Sequence, residues 1–262
     1  AEEYFRQGLE AADVVSARRT QARAQGALAA LLRGRDNNEV LQFAQKAFDF
    51  YGQGGYRRQT VQAMGLIGFV HSMRGHFDLA ESTLQEQQEI ARRFGDDALI
   101  ASAAVGFGEA LSRQGQLAPA LAVVTTARSL YEQLGLMRSL TFAKRDEAAL
   151  LAQLGQAEDA ILILESLADD ERFDNYYPRV LGTVEVIHAR LALSQQRLED
   201  VLTHTDLVLV GDPNDRIATD ALMLRCLAQN QLGRAGIARA TCEDGRRRAA
   251  VPHPVPWTHI YA

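Results

Sequence analysis

Ile67-Gly68-Phe69-Val70-His71-Ser72-Met73-Arg74-Gly75-His76-Phe77-Asp78-Leu79-Ala80 is answered forty residues later by Phe107-Gly108-Glu109-Ala110-Leu111-Ser112-Arg113-Gln114-Gly115-Gln116-Leu117-Ala118-Pro119-Ala120. In both stretches a glycine follows a large apolar residue, a second glycine comes seven residues on, and an alanine follows five beyond that. The second glycine is the marker of a tight turn, because it enters the left-handed region without the Cβ clash that other residues pay for at roughly 1 kcal/mol or more.

Such markers recur along the whole chain as Gly34, Gly75, Gly115, Gly155, Gln196 and Gly233, in steps of 41, 40, 40, 41 and 37 residues. Glutamine stands in for glycine once. On either side the apolar residues keep helical spacing: Ile67, Val70 and His71 before Gly75, then Ala80, Leu84, Gln87 and Ile90 after it. Each unit therefore reads as a helical hairpin. A hairpin of this size cannot bury its own apolar face, so repetition at this period implies stacking into a solenoid whose main asset is a long surface.

The positions around the marker fit close helix contact. Five residues after it stand Ala80, Ala120, Ala160, Val201 and Ala238; seven before it stand Ala27, Gly68, Gly108, Ala148, Ala189 and Cys226. Twenty after it come Gly54, Gly95, Gly135 and Asn175, residues suited to a left-handed helix end, which predicts second helices of about nineteen residues in the first four units. This pattern resembles the tetratricopeptide repeat over residues 20–245, with a longer period like that of helical arrays in bacterial signal-transduction ATPases, maltose-activator-like and antibiotic-regulator-like transcriptional regulators, and kinesin light chains. The resemblance implies an all-α, right-handed α-solenoid of six hairpins. Residues 1–19 then supply the second helix of a truncated preceding repeat with its connector, and residues 246–262 an Arg- and Pro-rich tail.

Composition sets limits on function. With 47% hydrophobic residues in 262 there is enough apolar material for a core, yet the chain is large for one globule, which a stack of hairpins accommodates. A net charge of −5, with one short basic run at Arg246 to Arg248, argues against non-specific DNA binding. Only Lys46 and Lys144 are lysines among 28 basic residues, the mark of a GC-rich genome. No apolar run suggests a membrane span, and the start lacks methionine, so the chain reads as a piece of a longer, cytoplasmic protein. Cys226 and Cys242, sixteen apart, fit neither a metal site nor a disulfide framework and read as small core residues. The segment Val251 to Trp257, with its alternating prolines, reads as a linker or cap, or else as a docking segment anchored by Trp257.

No nucleophile elbow, phosphate loop, dinucleotide fingerprint or zinc-binding helix motif occurs, which predicts a non-enzyme without cofactor or metal. His71, His76, His188, His204, His253 and His259 read as structural or solvent-facing, and Asp96-Asp97 and Asp169-Asp170-Glu171 as caps at helix junctions. The family resemblance implies a groove lined by first-helix residues ten, six and three before each marker. These are Gly65, Phe69 and Ser72; Val105, Glu109 and Ser112; Arg145, Ala149 and Ala152; Val186, Arg190 and Leu193; and Met223, Leu227 and Asn230. Half are apolar, which suits a protein or peptide segment, with an acidic small ligand as a further candidate. The paired lysines and asparagines of the chaperone-binding members are missing.

Eight before the marker, Gly26, Ile67 and Phe107 give way to Glu147, His188 and Arg225. Stacking would line these up as a polar ladder: either a paired seam, or an anion site using Arg145, Arg190 and Arg225 with Arg179 at its edge. The expected function is a partner- or ligand-binding module of a larger bacterial regulator, with a constitutive assembly scaffold as the alternative, and self-association is open to either.

Overall fold

The computed structural model describes residues 1–14, 16–32, 37–173, 180–210 and 215–249; among them are thirteen α-helices and no strand. They fall into two compact units, one up to Leu130 and one from Tyr131. The first holds α1 (Glu2–Val14), α2 (Arg18–Leu31), α3 (Asn37–Gln53), α4 (Arg57–Met73), α5 (Phe77–Phe94), α6 (Asp97–Arg113) and most of α7 (Leu117–Gln133). The second holds α8 (Met137–Gln153), α9 (Ala157–Ala168), a 3-10 turn at Glu171–Phe173, α10 (Leu181–Ser194), α11 (Leu198–Val210), α12 (Asp215–Gln231) and α13 (Ala235–Ala249). After α1, even numbers are first helices of hairpins and odd numbers second helices, as the marker spacing predicts.

Within each unit the first helices lie side by side: α2, α4 and α6 in one, α8, α10 and α12 in the other. The second helices form another layer, α3 packing on α2 and α4, α5 on α4 and α6, and α11 on α10 and α12. The sequence dictates this through one stripe per second helix. In α5, Ala80, Leu84, Gln87, Gln88 and Ala91 are buried at helical spacing while the opposite face is charged. Leu84 alone, 1% exposed, contributes about 1.5–3 kcal/mol by leaving water. The helix stops at Gly95, in the left-handed conformation at φ 61°, and Asp96 caps α6 by accepting the Leu99 N–H at 3.1 Å.

The hairpin turns repeat one device. Gly75, Gly115, Gly155 and Gly233 have φ of 75°, 77°, 79° and 75°, and Gln196 takes the same conformation at 59°. After each, the next N–H reaches back five residues: His76 to the His71 carbonyl, Gln116 to Leu111, Gln156 to Leu151, Arg197 to Ala192 and Arg234 to Gln229, all at 2.9–3.0 Å. This bond pairs a carbonyl that the ended helix leaves open. Gly34 lies outside the described residues.

The close crossing seven before the marker is also present. A Cβ on Gly68 would sit 2.5 Å from Leu84 Cγ, and one on Gly108 would sit 2.6 Å from Val124 Cγ2. Ala80, Ala120, Ala148, Ala160, Ala189 and Val201 are fully buried. Both partners occupy fixed places, minus seven and plus nine from the marker. In the last hairpin those places are Cys226 and Cys242, which form a disulfide with Cα atoms 5.4 Å apart. The reading of two free core cysteines is therefore corrected: sixteen residues is the span that returns the chain to the same crossing.

Three further differences have local causes. In the first hairpin the buried small residue is Ala29 rather than Ala27, and Gly55 rather than Gly54 takes positive φ at 69°. That hairpin is shifted against a frame set from Gly34. In the fourth, α9 ends at Ala168 after 12 residues, short of the expected length, and the Asp170 carboxylate accepts the Arg172 N–H to start the 3-10 turn. The Arg172 guanidinium on the same carboxylate holds it low, at about 2. Asn175 lies outside the described residues, as does the tail from 250 with Trp257. Finally, α13 continues through Gly245 to Ala249, because a residue without a side chain packs there against Leu222 and Met223.

Candidate binding faces on the first helices

In the first unit the face where α4 and α6 adjoin gathers four predicted positions, Phe69, Val105, Glu109 and Ser112, and one that the sequence reading missed, Arg113. Val105, Glu109 and Ser112 follow at i, i+4 and i+7 on α6, each half-buried, so they form one stripe that still meets solvent. Phe69 of α4 is 9% exposed and packs with Ile67, Val70 and Met73 in the apolar cluster shared with α2 and α3. Over its ring lies the guanidinium of Arg113, 5.8 Å from the centroid, and Arg113 pairs with Glu109 at 3.1 Å. The Arg113 side chain is 14% exposed, so this cation is held in a medium much less polar than water. Its signal was present in the sequence as a Glu–Arg pair four residues apart on one helix. Ser72 is buried at 2% exposure and its hydroxyl finds no hydrogen-bond partner among the described residues. Gly65 approaches Gln87, whose amide nitrogen bonds the Val61 carbonyl at 2.8 Å.

Beside this face, burial pushes the His71 imidazole below the ordinary histidine range, with His76 and Arg74 adding to the shift. Its Nδ1 has no hydrogen-bond partner among the described residues. A shallow depression of about 470 Å³ lies at the α4–α5 turn, lined by Gly75, His76, Phe77, Asp78 and Leu79.

In the second unit the predicted positions are mostly occupied by their own neighbours. Val186, 5% exposed, belongs to the apolar cluster of α10, α11 and α12. Arg145 pairs with Asp146, its Nε at 2.8 Å, and stacks over Phe142 at 5.2 Å. Arg190 meets Asp220 of α12 at 3.8 Å. Met223 packs toward Gly245 of α13, while Asn230 is exposed. Of the ladder residues, Glu147 is buried at 6% exposure. His188 stacks on His204 of α11 with ring centroids 5.2 Å apart, and His204 Nδ1 lies 2.7 Å from Glu185 Oε2. Arg225 donates to Asp206 at 2.5 Å and to the Thr205 hydroxyl at 3.3 Å, both on α11. Position minus eight thus turns toward the second helices. The three arginines of the anion-site reading each meet a carboxylate outside the ladder, Asp146, Asp220 and Asp206, and Arg179 lies outside the described residues.

Burial also lowers the His188 imidazole; His204 deepens the shift, against Glu185 and Glu165. Among the described residues no group of three or more His, Cys, Asp or Glu side chains is arranged to hold a metal ion. None of the described helices is long and apolar enough to cross a membrane.

Residues 54–133 match the tetratricopeptide repeat family. No curated protein matches the sequence. Among solved structures, the chain is similar to a Rap protein complexed with Competence and Sporulation Factor, with TM-score 0.69 and 17% identity over 88% of this chain and 66% of that one. It is also similar to aspartyl phosphate phosphatase F from Bacillus subtilis, with TM-score 0.72 and 14% identity over 97% of this chain and 66% of the other. The apo quorum sensor NprR from B. thuringiensis gives TM-score 0.65 at 12% identity, over 95% of this chain and 75% of that one. The chain thus spans just under two thirds of the length of the first two. At these identities the likeness is one of fold.

Proposed function

We propose that this array of tetratricopeptide-type hairpins is a non-catalytic binding module for a peptide or protein segment, acting within a larger cytoplasmic regulator of bacterial origin. The observation that carries the reading is the α4–α6 face. It combines a half-buried stripe, Val105, Glu109 and Ser112, with a cation held over an aromatic ring. The ring and the stripe offer apolar contact, and the Glu109–Arg113 pair beside them offers the backbone or a polar side chain of a peptide both an acceptor and a donor where the stripe excludes water. The solved structure of similar fold that holds Competence and Sporulation Factor supports a binding role for such an array.

The test is selection from a displayed random-peptide library, followed by affinity measurement on the parent, Arg113→Ala and Arg190→Ala. A hydrogen bond to a charged group contributes about 1.5–3 kcal/mol, so Arg113→Ala should weaken selected peptides by about tenfold or more. Arg190→Ala, in the other unit, should leave them unchanged. Selected peptides that bind Arg113→Ala as tightly as the parent would remove the site, and a library that yields no enriched sequence would remove the function.

A further inference from the structure

We infer that the Cys226–Cys242 disulfide is a redox-operated latch that holds α13 on α12, and that a thiol reductant releases α13 and uncovers Leu222 and Met223.

Apart from the bridge, α13 brings few buried side chains to its contact with α12. Among its described side chains only Ala238 and Gly245 are buried, and neither brings a large apolar group; Ile237 is 59% exposed. By contrast α11 buries Val201, Leu202, Thr205 and Val208, and α5 buries Leu84 among five residues. At the crossing where other hairpins place Leu84 on Gly68 or Val124 on Gly108, the last hairpin has the sulfur bridge. A covalent bond there replaces the apolar contact that fixes the second helix elsewhere. The rest of the second unit does not depend on α13, since Ala221, Leu224 and Ala228 of α12 pack into the cluster built with α10 and α11. What α13 covers is the α12 surface at Leu222 and Met223, which adjoin Gly245.

Opening follows ordinary thiol–disulfide exchange. Cys242 is half-buried and Cys226 is 6% exposed, so the thiolate of a dithiol reductant attacks Cys242 Sγ. The Sγ–Sγ bond breaks, and Cys226 leaves as a thiolate and takes up a proton. The second thiol of the reductant then displaces Cys242, which leaves as the second protein thiol, and the reductant ends as its own disulfide. Two electrons pass to the protein. In a reducing compartment the latch stands open and closes when a small-molecule disulfide supplies the reverse exchange.

The experiment is amide hydrogen exchange on the full chain, read by mass spectrometry, before and after dithiothreitol, with thiol alkylation to count free cysteines. A loop of this length is worth about a hundredfold in the closed-to-open ratio, so amides of 235–249 should exchange about 100-fold faster after reduction while those of α10 and α11 keep their protection. The double variant Cys226→Ala/Cys242→Ala should exchange fast at 235–249 under both conditions. Unchanged protection of 235–249 with two alkylated thiols would overturn the latch. Simultaneous loss of protection in α10, α11 and α13 would also overturn it, by making the bridge a staple of the whole unit. Failure of oxidised glutathione to close the bridge in reduced protein would overturn its reversibility.

Discussion

Gly106 and Gly108 stand two residues apart in α6, and alanine should be better tolerated at the first than at the second. At a helix-interior glycine, alanine gains about 1 kcal/mol from intrinsic propensity, and that gain is common to both sites. The sites differ in what the new methyl meets. At Gly106 its nearest neighbour is Leu84 Cδ2 at 3.7 Å, ordinary van der Waals contact. At Gly108 it would lie 2.6 Å from Val124 Cγ2, 3.1 Å from Val123 Cγ2 and 3.4 Å from the Ala120 carbonyl. Carbon pairs settle near 3.5–4.0 Å, so close to 1 Å must be recovered, and a valine in a helix has essentially one side-chain rotamer with which to give way. Core overpacking of this kind costs about 1–3 kcal/mol. Gly106→Ala should therefore stabilise the chain by up to about 1 kcal/mol, with Gly108→Ala about 1–3 kcal/mol below it. Urea unfolding followed by circular dichroism reads both, and the difference between the variants isolates the steric effect because the propensity gain cancels. Coincident unfolding curves for the two would refute the placement of the α6–α7 crossing.

Gln196→Gly should stabilise the chain by roughly 0.5–1 kcal/mol, the left-handed penalty of a side-chain-bearing residue less the backbone entropy of glycine; a lower melting temperature would contradict that turn geometry. Stability should fall as pH drops below the ordinary histidine range near 6.5. His71 and His188 are held low by burial, so the unfolded chain binds more protons there, and the stabilisation present above that pH is lost as pH falls through the lowered folded values. Thermal melts at stepped pH should show this slope in the parent and a flatter one in His71→Leu/His188→Leu; equal slopes would reassign it to other groups. Ala120→Leu, at a fully buried position in the same crossing as Gly108, should cost about 1–3 kcal/mol, and a melt like that of the parent would contradict it.

The hairpins were legible because their signals are steric and local. A left-handed turn needs glycine, and a close crossing needs a residue no larger than alanine; Gly75 and Gly68 announce both without reference to the rest of the chain. The first hairpin departs from the spacing counted from Gly34, because Ala29 and Gly55 occupy the operative places. Side-chain partnerships were harder to read. The position of Arg113 over Phe69 depends on the distance between α4 and α6, which spacing along one helix does not encode. The disulfide was recoverable in principle, since both cysteines read as small core residues, but the pairing appears only when minus seven and plus nine are seen to share one crossing. His188 and Arg225, at minus eight, find their partners on the second helices, across the layer.

Helices α4, α6, α8 and α12 are each 17 residues long, which at 1.5 Å per residue makes them about 25 Å from end to end. An extended chain advances about 3.3 Å per residue, so a segment lying parallel to one of these axes would be read over about seven or eight residues. Its footprint would then be a property of the hairpin, fixed by the forty-residue period and indifferent to how many hairpins are stacked. A segment lying across the axes would instead be read one helix at a time, and its length would grow with every repeat added. Truncating bound peptides residue by residue therefore measures the direction of travel as well as the contact: a cutoff near seven residues marks the first arrangement, and affinity that keeps rising past it marks the second.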